Sequence, residues 1–270
     1  MSARFRTICA TLLLGLGGLG APAMSAKPPA LSPACDARCL QGLADAFLAG
    51  LQSRKQGADV PWAPRVRYTE NGVGMTVGDG IWATVTAYAR DPLEVVDPAS
   101  QSVVWIGAIE EHGQPGWLAL RIKAEGGRIV EAEAVMRRKQ GSPPYGEPAD
   151  YRRDAVFARG SAGAAARERL VTVAEQALPA APRARNGVAL SNVPPAALRA
   201  VSVAAVDPAH GLVALFGRRD HVGDRGDVDG AFPHSYAFVT VFKVDGGRVV
   251  AGEEVQSDVM PFLMPAWGKH

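Results

Sequence analysis

The sequence predicts an α+β protein made of two similar units in tandem, each a curved, mainly antiparallel sheet packed on helices. Three pairs of matching segments carry that expectation. KAEGGRIV from Lys123 is answered by KVDGGRVV from Lys243, and DPASQSVVWIG from Asp97 by DPAHGLVALFG from Asp207. A weaker pair sets APRVRYTENGV from Ala63 against APRARNGV from Ala181, with three residues missing in the second copy. The paired glycines of the first match accept positive φ without a Cβ penalty, so each copy reads as a hairpin turn between two strands.

Taken in order, the chain opens on Arg4 and Arg6 before an apolar run, Ile8–Leu19, and small residues at Ala21–Ala23 and Ser25–Ala26. That is the layout of a signal peptide over residues 1–26, and it predicts a periplasmic or secreted protein. The run is too short and too rich in glycine for a membrane span. Gly15, Gly17 and Gly20 match a dinucleotide fingerprint by letter, yet no strand precedes them and no βαβ unit follows.

A first unit is expected over 35–139. Leu40, Leu43, Ala44, Phe47, Leu48 and Leu51 recur at helical spacing and predict a helix from about Asp36 to Arg54, with Asp36 at its N-terminus. Val66–Glu70 alternates like a short strand turned by Asn71-Gly72, and Ile81-Trp82 suggests a short helix. Ser102–Glu111, Trp117–Ala124 and Arg128–Arg137 read as an antiparallel meander.

Residues 140–163 are rich in Pro, Gly and charge and read as a linker. The second unit, 164–258, reopens with a helix over Ala164–Leu178 and four strands, Arg199–Val206, Gly211–Arg219, Ser235–Val244 and Arg248–Ser257. Both strand parities are apolar in Val103–Ile109 and Ala237–Val244, unlike a sheet with one wet face. The two sheets are therefore expected to pack on each other as a pseudo-dimer within one chain.

The full chain has 29 Lys and Arg against 27 Asp and Glu, and residues 1–26 hold two of the former and none of the latter. The remainder is electrically balanced. It lacks the basic excess of a nucleic-acid binder and any long charge run of a membrane-surface helix, so no nucleic-acid partner, and no membrane partner after cleavage, is expected.

Cys35 and Cys39, four apart at a helix start in an oxidising compartment, predict a local disulfide; metal binding is the alternative, with no His or second Cys pair nearby to support it. No metal site and no cofactor are expected. DRGDVDG fails as a calcium loop, because the register set by Asp227, Asp229 and Gly230 puts Arg225 at the first ligand position. No Gly-x-Ser-x-Gly, His-Glu-x-x-His or Walker pattern occurs beyond the leader.

The helix, the RYTENG segment, GDGIW and the long meander with its GGR hairpins resemble the nuclear transport factor 2-like superfamily, which includes the SnoaL-like polyketide cyclases. CDARCL and VDPAHGLV with RDHVG narrow the resemblance to an exported tandem group of unassigned activity. The resemblance covers roughly Cys35–Asp258 and implies two cone-shaped units with a pocket between sheet and helices, in a superfamily of isomerases, dehydratases, cyclases and binding proteins.

On that expectation Glu70 is the proton-transfer group of a first-unit pocket for a small organic molecule. Tyr68 and Asn71 orient or polarise the substrate, and Trp62 and Trp82 form apolar wall. A carboxylate desolvated by aromatic rings has its pKa raised toward a working value. The other reading of Glu70 is a hydrogen-bonding anchor for the Asn-Gly turn. The second copy lacks Tyr68–Glu70, so only the first unit can use this chemistry. Arg121 and Glu133 can face a pocket or solvent, and Asp220-His221 stands before a loop of 220–234 as a possible base with its partner, although neighbours on a strand point to opposite faces. Arg121, Asp220 and His221 join Trp62 and Trp82 as candidate substrate contacts. The function expected is a cofactor-free isomerase, lyase or hydrolase; the alternative is a non-catalytic binding or assembly module.

Overall fold

The structure is a computed structural model and describes residues 34–53, 57–138, 151–161, 166–180, 198–221 and 234–260, except the side chains of Ala180, His221 and His234. These residues all belong to one compact unit, Ser32–His270. The expected signal peptide, most of the linker, the APRARNGV segment and the DRGDVDG loop lie outside the described residues.

Helix α1 (Ala37–Ser53) forms where the 3.6-residue stripe predicts it, one residue inside each expected end. Asp36 caps it: its carboxylate accepts from Cys39 N at 2.8 Å and its carbonyl from Leu40 N at 3.0 Å. Cys35 and Cys39 are joined by a disulfide with their Cα atoms 5.2 Å apart. Gln101 holds the same start from below, accepting from Cys35 N and donating to Cys35 O at 2.7 and 2.8 Å.

Strand β1 (Trp62–Glu70) turns through Asn71-Gly72 into β2 (Val73–Gly74), and a short helix α2 (Ile81–Thr84) leads to β3 (Val85–Tyr88) and β4 (Leu93–Asp97). The meander follows as β5 (Ser102–Glu111), β6 (Gln114–Glu125) and β7 (Arg128–Arg138). The sheet order is β2-β1-β7-β6-β5-β3, with β4 also on β5. One feature departs from an antiparallel meander, because β1 runs parallel to β7, with Tyr68 opposite Ala132 and Glu70 opposite Ala134.

A second sheet is formed by β8 (Leu198–Asp207), β9 (Leu212–His221), β10 (His234–Asp245) and β11 (Arg248–Val259), all antiparallel in the order β11-β10-β9-β8. Helix α3 (Arg167–Ala177) lies against it. The two halves share local geometry to the level of single bonds. The β6–β7 hairpin shifts register between Lys123 and Ala124, and the β10–β11 hairpin between Lys243 and Val244. Both glycine pairs, Gly126-Gly127 and Gly246-Gly247, have positive φ. Ala124 N donates to Gln101 O, and Val244 N to Gly211 O, each at 2.8 Å.

Three cores result, and strand parity assigns residues to them. Leu118, Leu120 and Ile122 face α1 with Val103, Trp105 and Tyr68. Val213, Leu215, Phe238 and Phe242 face Leu170 and Ala174 of α3. The opposite faces meet in the middle, where Val104, Ile106, Trp117 and Ala119 of the first sheet pack with Ala214, Phe216, Val239 and Val241 of the second. Helix, sheet, sheet and helix therefore form four layers. The segment 151–161, read as linker from its composition, is itself packed: Phe157 joins the middle core and the Tyr151 hydroxyl donates to Ile106 O at 3.1 Å. Buried Lys243 ties it down by donating to Arg159 O at 2.5 Å and to His210 O.

Candidate functional site

The helix-facing side of the first sheet gathers Tyr68 and Glu70 at the end of β1, Glu111 at the end of β5 and Arg138 at the end of β7. Tyr68 and Glu70 are two apart on a strand, so they share a face. The Tyr68 hydroxyl donates to Glu70 Oε1, and Ile81 N donates to the same oxygen at 2.8 Å. Gly80, with φ of 62°, sits directly against the carboxylate, and any Cβ there would overlap both of its oxygens. Both residues are buried.

Burial is the largest influence on each group. It raises the Tyr68 pKa far above its ordinary value, with the charge of Glu70 and the hydrogen bond to it adding, so the phenol stays protonated and donates. The Glu70 pKa is raised as well. Burial outweighs the hydrogen bonds from Tyr68 and Ile81, and the negative charge of Glu111 adds to it while Arg138 opposes.

Trp62 and Trp82 meet edge to face beside Tyr68, with centroids 5.8 Å apart, and a third ring packs against both. Phe47 of α1 lies 4.7 Å from Trp82, 5.8 Å from Trp62 and 6.2 Å from Tyr68, centroid to centroid. Its place on the apolar stripe of α1 was legible in the sequence; its neighbours were not. The Trp62 indole donates to Gly57 O at 3.1 Å.

Asn71 has a structural task that the sequence did not indicate. At φ of 48° its amide pairs with the Met136 backbone, accepting from Met136 N at 2.8 Å and donating to Met136 O at 3.2 Å, which prolongs the β1–β7 ladder by one side chain. Arg121 also differs from its candidate role. It lies opposite Glu133 on the face of β6 and β7 that carries Trp117, Ala119 and Val135, so it is buried toward the second sheet and away from the Glu70 corner. The solvent reading does not fit, because this face is covered by the other sheet.

Asp220 is likewise distant in the fold, on β9. It pairs with Arg199 and accepts from Ser235 Oγ at 2.6 Å. Burial works to raise its pKa, but these hydrogen bonds and the charges of Arg199 and Arg218 outweigh it and leave the pKa lowered. His221 ends β9 opposite His234, and its side chain lies outside the described residues.

Two residues escaped sequence reasoning. Glu111 accepts from Thr84 Oγ1 at 2.5 Å and from Arg138 Nη2 at 3.0 Å, with Arg138 Nε 2.9 Å from its other oxygen. They come from strand ends far from Glu70 in sequence, and no local pattern marks them. Among the described residues no group of three or more His, Cys, Asp or Glu is placed to hold a metal ion, and no helix is long and apolar enough to cross a membrane.

Residues 35–136 match a family model described as a domain of unknown function, DUF8021. The match runs from the first cysteine of the disulfide to Met136 near the end of β7 and includes Tyr68, Glu70, Trp82 and Glu111. No curated protein matches the chain.

Proposed function

We propose that this is an exported, tandem nuclear transport factor 2-like protein whose first unit carries out acid-base chemistry on a small organic molecule without a cofactor, as an isomerase, lyase or hydrolase. The observation that carries this reading is the buried Tyr68–Glu70 hydrogen bond with the Glu70 pKa raised. A buried carboxyl group whose pKa is raised by its surroundings is suited to proton transfer. Ile81 N–H and the Tyr68 hydroxyl fix Oε1, which leaves Oε2 as the oxygen that exchanges its proton with the substrate. The single Tyr68 hydroxyl hydrogen goes to Glu70 Oε1, so the phenol orients the carboxyl group for that transfer. Matching hairpin registers in the two halves support descent by duplication, with units near 35–139 and 164–258 joined through 140–163, and the shared middle core supports a pseudo-dimer in one chain. The basic residues and apolar run within residues 1–26, read as a leader, and the Cys35–Cys39 disulfide support a periplasmic or secreted setting.

The test is solvent deuterium exchange into the α-position of a panel of small ketones, esters and lactones. The wild type should accelerate exchange for at least one compound, and E70Q should abolish it while retaining the wild-type circular dichroism spectrum. A panel with no exchange by the wild type counts against the enzyme.

One observation favours a non-catalytic binding or assembly module instead. Phe47 packs against Trp62, Tyr68 and Trp82, which also touch one another, and Glu70 anchors α2 through Ile81. On that reading E70Q loses stability and no exchange exists to lose.

A further inference from the structure

We propose that Glu111 is a positioning residue that, balanced by Arg138, holds the proton on Glu70. The inference rests on the reading of Glu70 as the proton-transfer group, and it adds the device that sets when the proton is held. Its basis is the way α2 brackets two carboxylates. Ile81 N at the first residue of α2 donates to Glu70, and Thr84 Oγ1 at the last donates to Glu111. Three residues of helix rise separate these anchors, about 4.5 Å along the axis. His112 N donates to Thr84 O at 3.2 Å and Val85 pairs with Glu111, so the end of β5 cannot drift from the helix.

Two carboxylates fixed on one short helix repel each other, and the cost is met by keeping a proton on one of them. Glu70 is the one that keeps it. Glu111 has the Arg138 guanidinium on both oxygens, whereas the partners of Glu70 are a phenol and a backbone amide, which are neutral. The groups that act on Glu70 are Tyr68 on β1, Ile81 N on α2, Glu111 on β5 and Arg138 on β7; the negative charge of Glu111 favours its protonated form and the positive charge of Arg138 opposes it. Arg138 is the adjustable member, since its side chain is 54% exposed while that of Glu111 is 5% exposed. A solute anion that drew Arg138 away would strengthen the hold on the Glu70 proton.

The experiment is a carbon-13 NMR titration of the Glu70 carboxyl in the full chain, assigned by its absence in E70Q, for wild type, E111Q and R138Q. E111Q should lower the Glu70 midpoint by about one unit and R138Q should raise it by about one unit. Opposite signs are the signature, because loosened packing would move both variants the same way. R138Q alters a half-exposed residue and keeps the test usable if E111Q does not fold. Unchanged midpoints, or shifts of one sign in both variants, overturn the inference. Opposite shifts in a protein that exchanges no substrate proton would uphold the coupling and overturn the enzymatic reading alone.

Discussion

Arg167 grips Asp97 with both terminal nitrogens, at 2.8 and 2.6 Å. The arginine opens α3 and the aspartate closes β4, and Val206 N on β8 donates to the same carboxylate at 3.0 Å. Asp207, which matches Asp97 in the sequence, keeps its bonds local, to Ala209 N, His210 N and the His210 ring. Of these two matching turns, only the one at Asp97 clasps β4 to α3 and β8.

D97N should therefore cost more than an ordinary surface ion pair, about 2–3 kcal/mol, since a charge-assisted pair to a buried acceptor is lost. Urea denaturation checks it. Burial raises the Asp97 pKa, but Arg167, Ser100 and Val206 outweigh it and leave it depressed. A depressed folded pKa gives stability that is present above the unfolded value and lost as pH falls through the folded one. The wild-type advantage over D97N should persist at neutral pH and fade in acid below about pH 4.

Glu133 sets a second pH dependence with the opposite sign. It is 2% exposed between the sheets, and burial pushes its pKa up to about 8 against the opposing charges of Arg121, Arg218 and Arg67, with Glu131 adding to the rise. The folded protein then holds a proton that the unfolded chain releases near 4.5. Stability from this group is full below the unfolded value and declines as pH rises toward the folded one, by at most about 1.4 kcal/mol per unit. Denaturation midpoints measured from pH 5 to 9 should fall for the wild type and flatten in E133Q; equal slopes would contradict the assignment.

Gly50 lies inside α1, where alanine would ordinarily stabilise by about 1 kcal/mol. A Cβ there would stand 2.7 Å from Val60 and 2.9 Å from Trp82. G50A should be destabilising by about 1–2 kcal/mol, the overpacking cost exceeding the propensity gain. A rise in Tm would show that the ring cluster is looser than described.

Local patterns made most elements legible. The stripe of α1, the two glycine hairpins and the β5–β7 and β8–β11 runs are short-range signals, and their strands extend only a few residues beyond the expected ends. The parallel β1–β7 pairing was not legible, because it joins strands some sixty residues apart and leaves no mark on either. Strands β3 and β4 were missed for their brevity. Arg121 was misassigned because alternation gives two faces without saying which one a second sheet will cover, although Val103–Ile109, apolar at both parities, carried that message. Glu70 and Tyr68 were legible because they share one strand face; Glu111 and Arg138 reach them only through tertiary structure.

The middle core predicts that the halves depend on each other. Residues 161–270 alone would expose Phe216, Val239 and Val241, which pack against Val104, Ile106 and Trp117 of the first sheet. That fragment should aggregate or lack a cooperative transition in calorimetry. A soluble fragment with a sharp melt would show that the contact between sheets is dispensable.

The most direct measurement of the central claim is the ionisation of Glu70 itself. Carboxyl NMR of the wild type and Y68F needs no substrate. Burial predicts a Glu70 midpoint above its ordinary 4.5, and loss of the Tyr68 hydrogen bond, which favours the charged form, should raise it further in Y68F. A wild-type midpoint at or below 4.5, or one that falls in Y68F, would contradict the account of Glu70 as a proton-holding acid at this site.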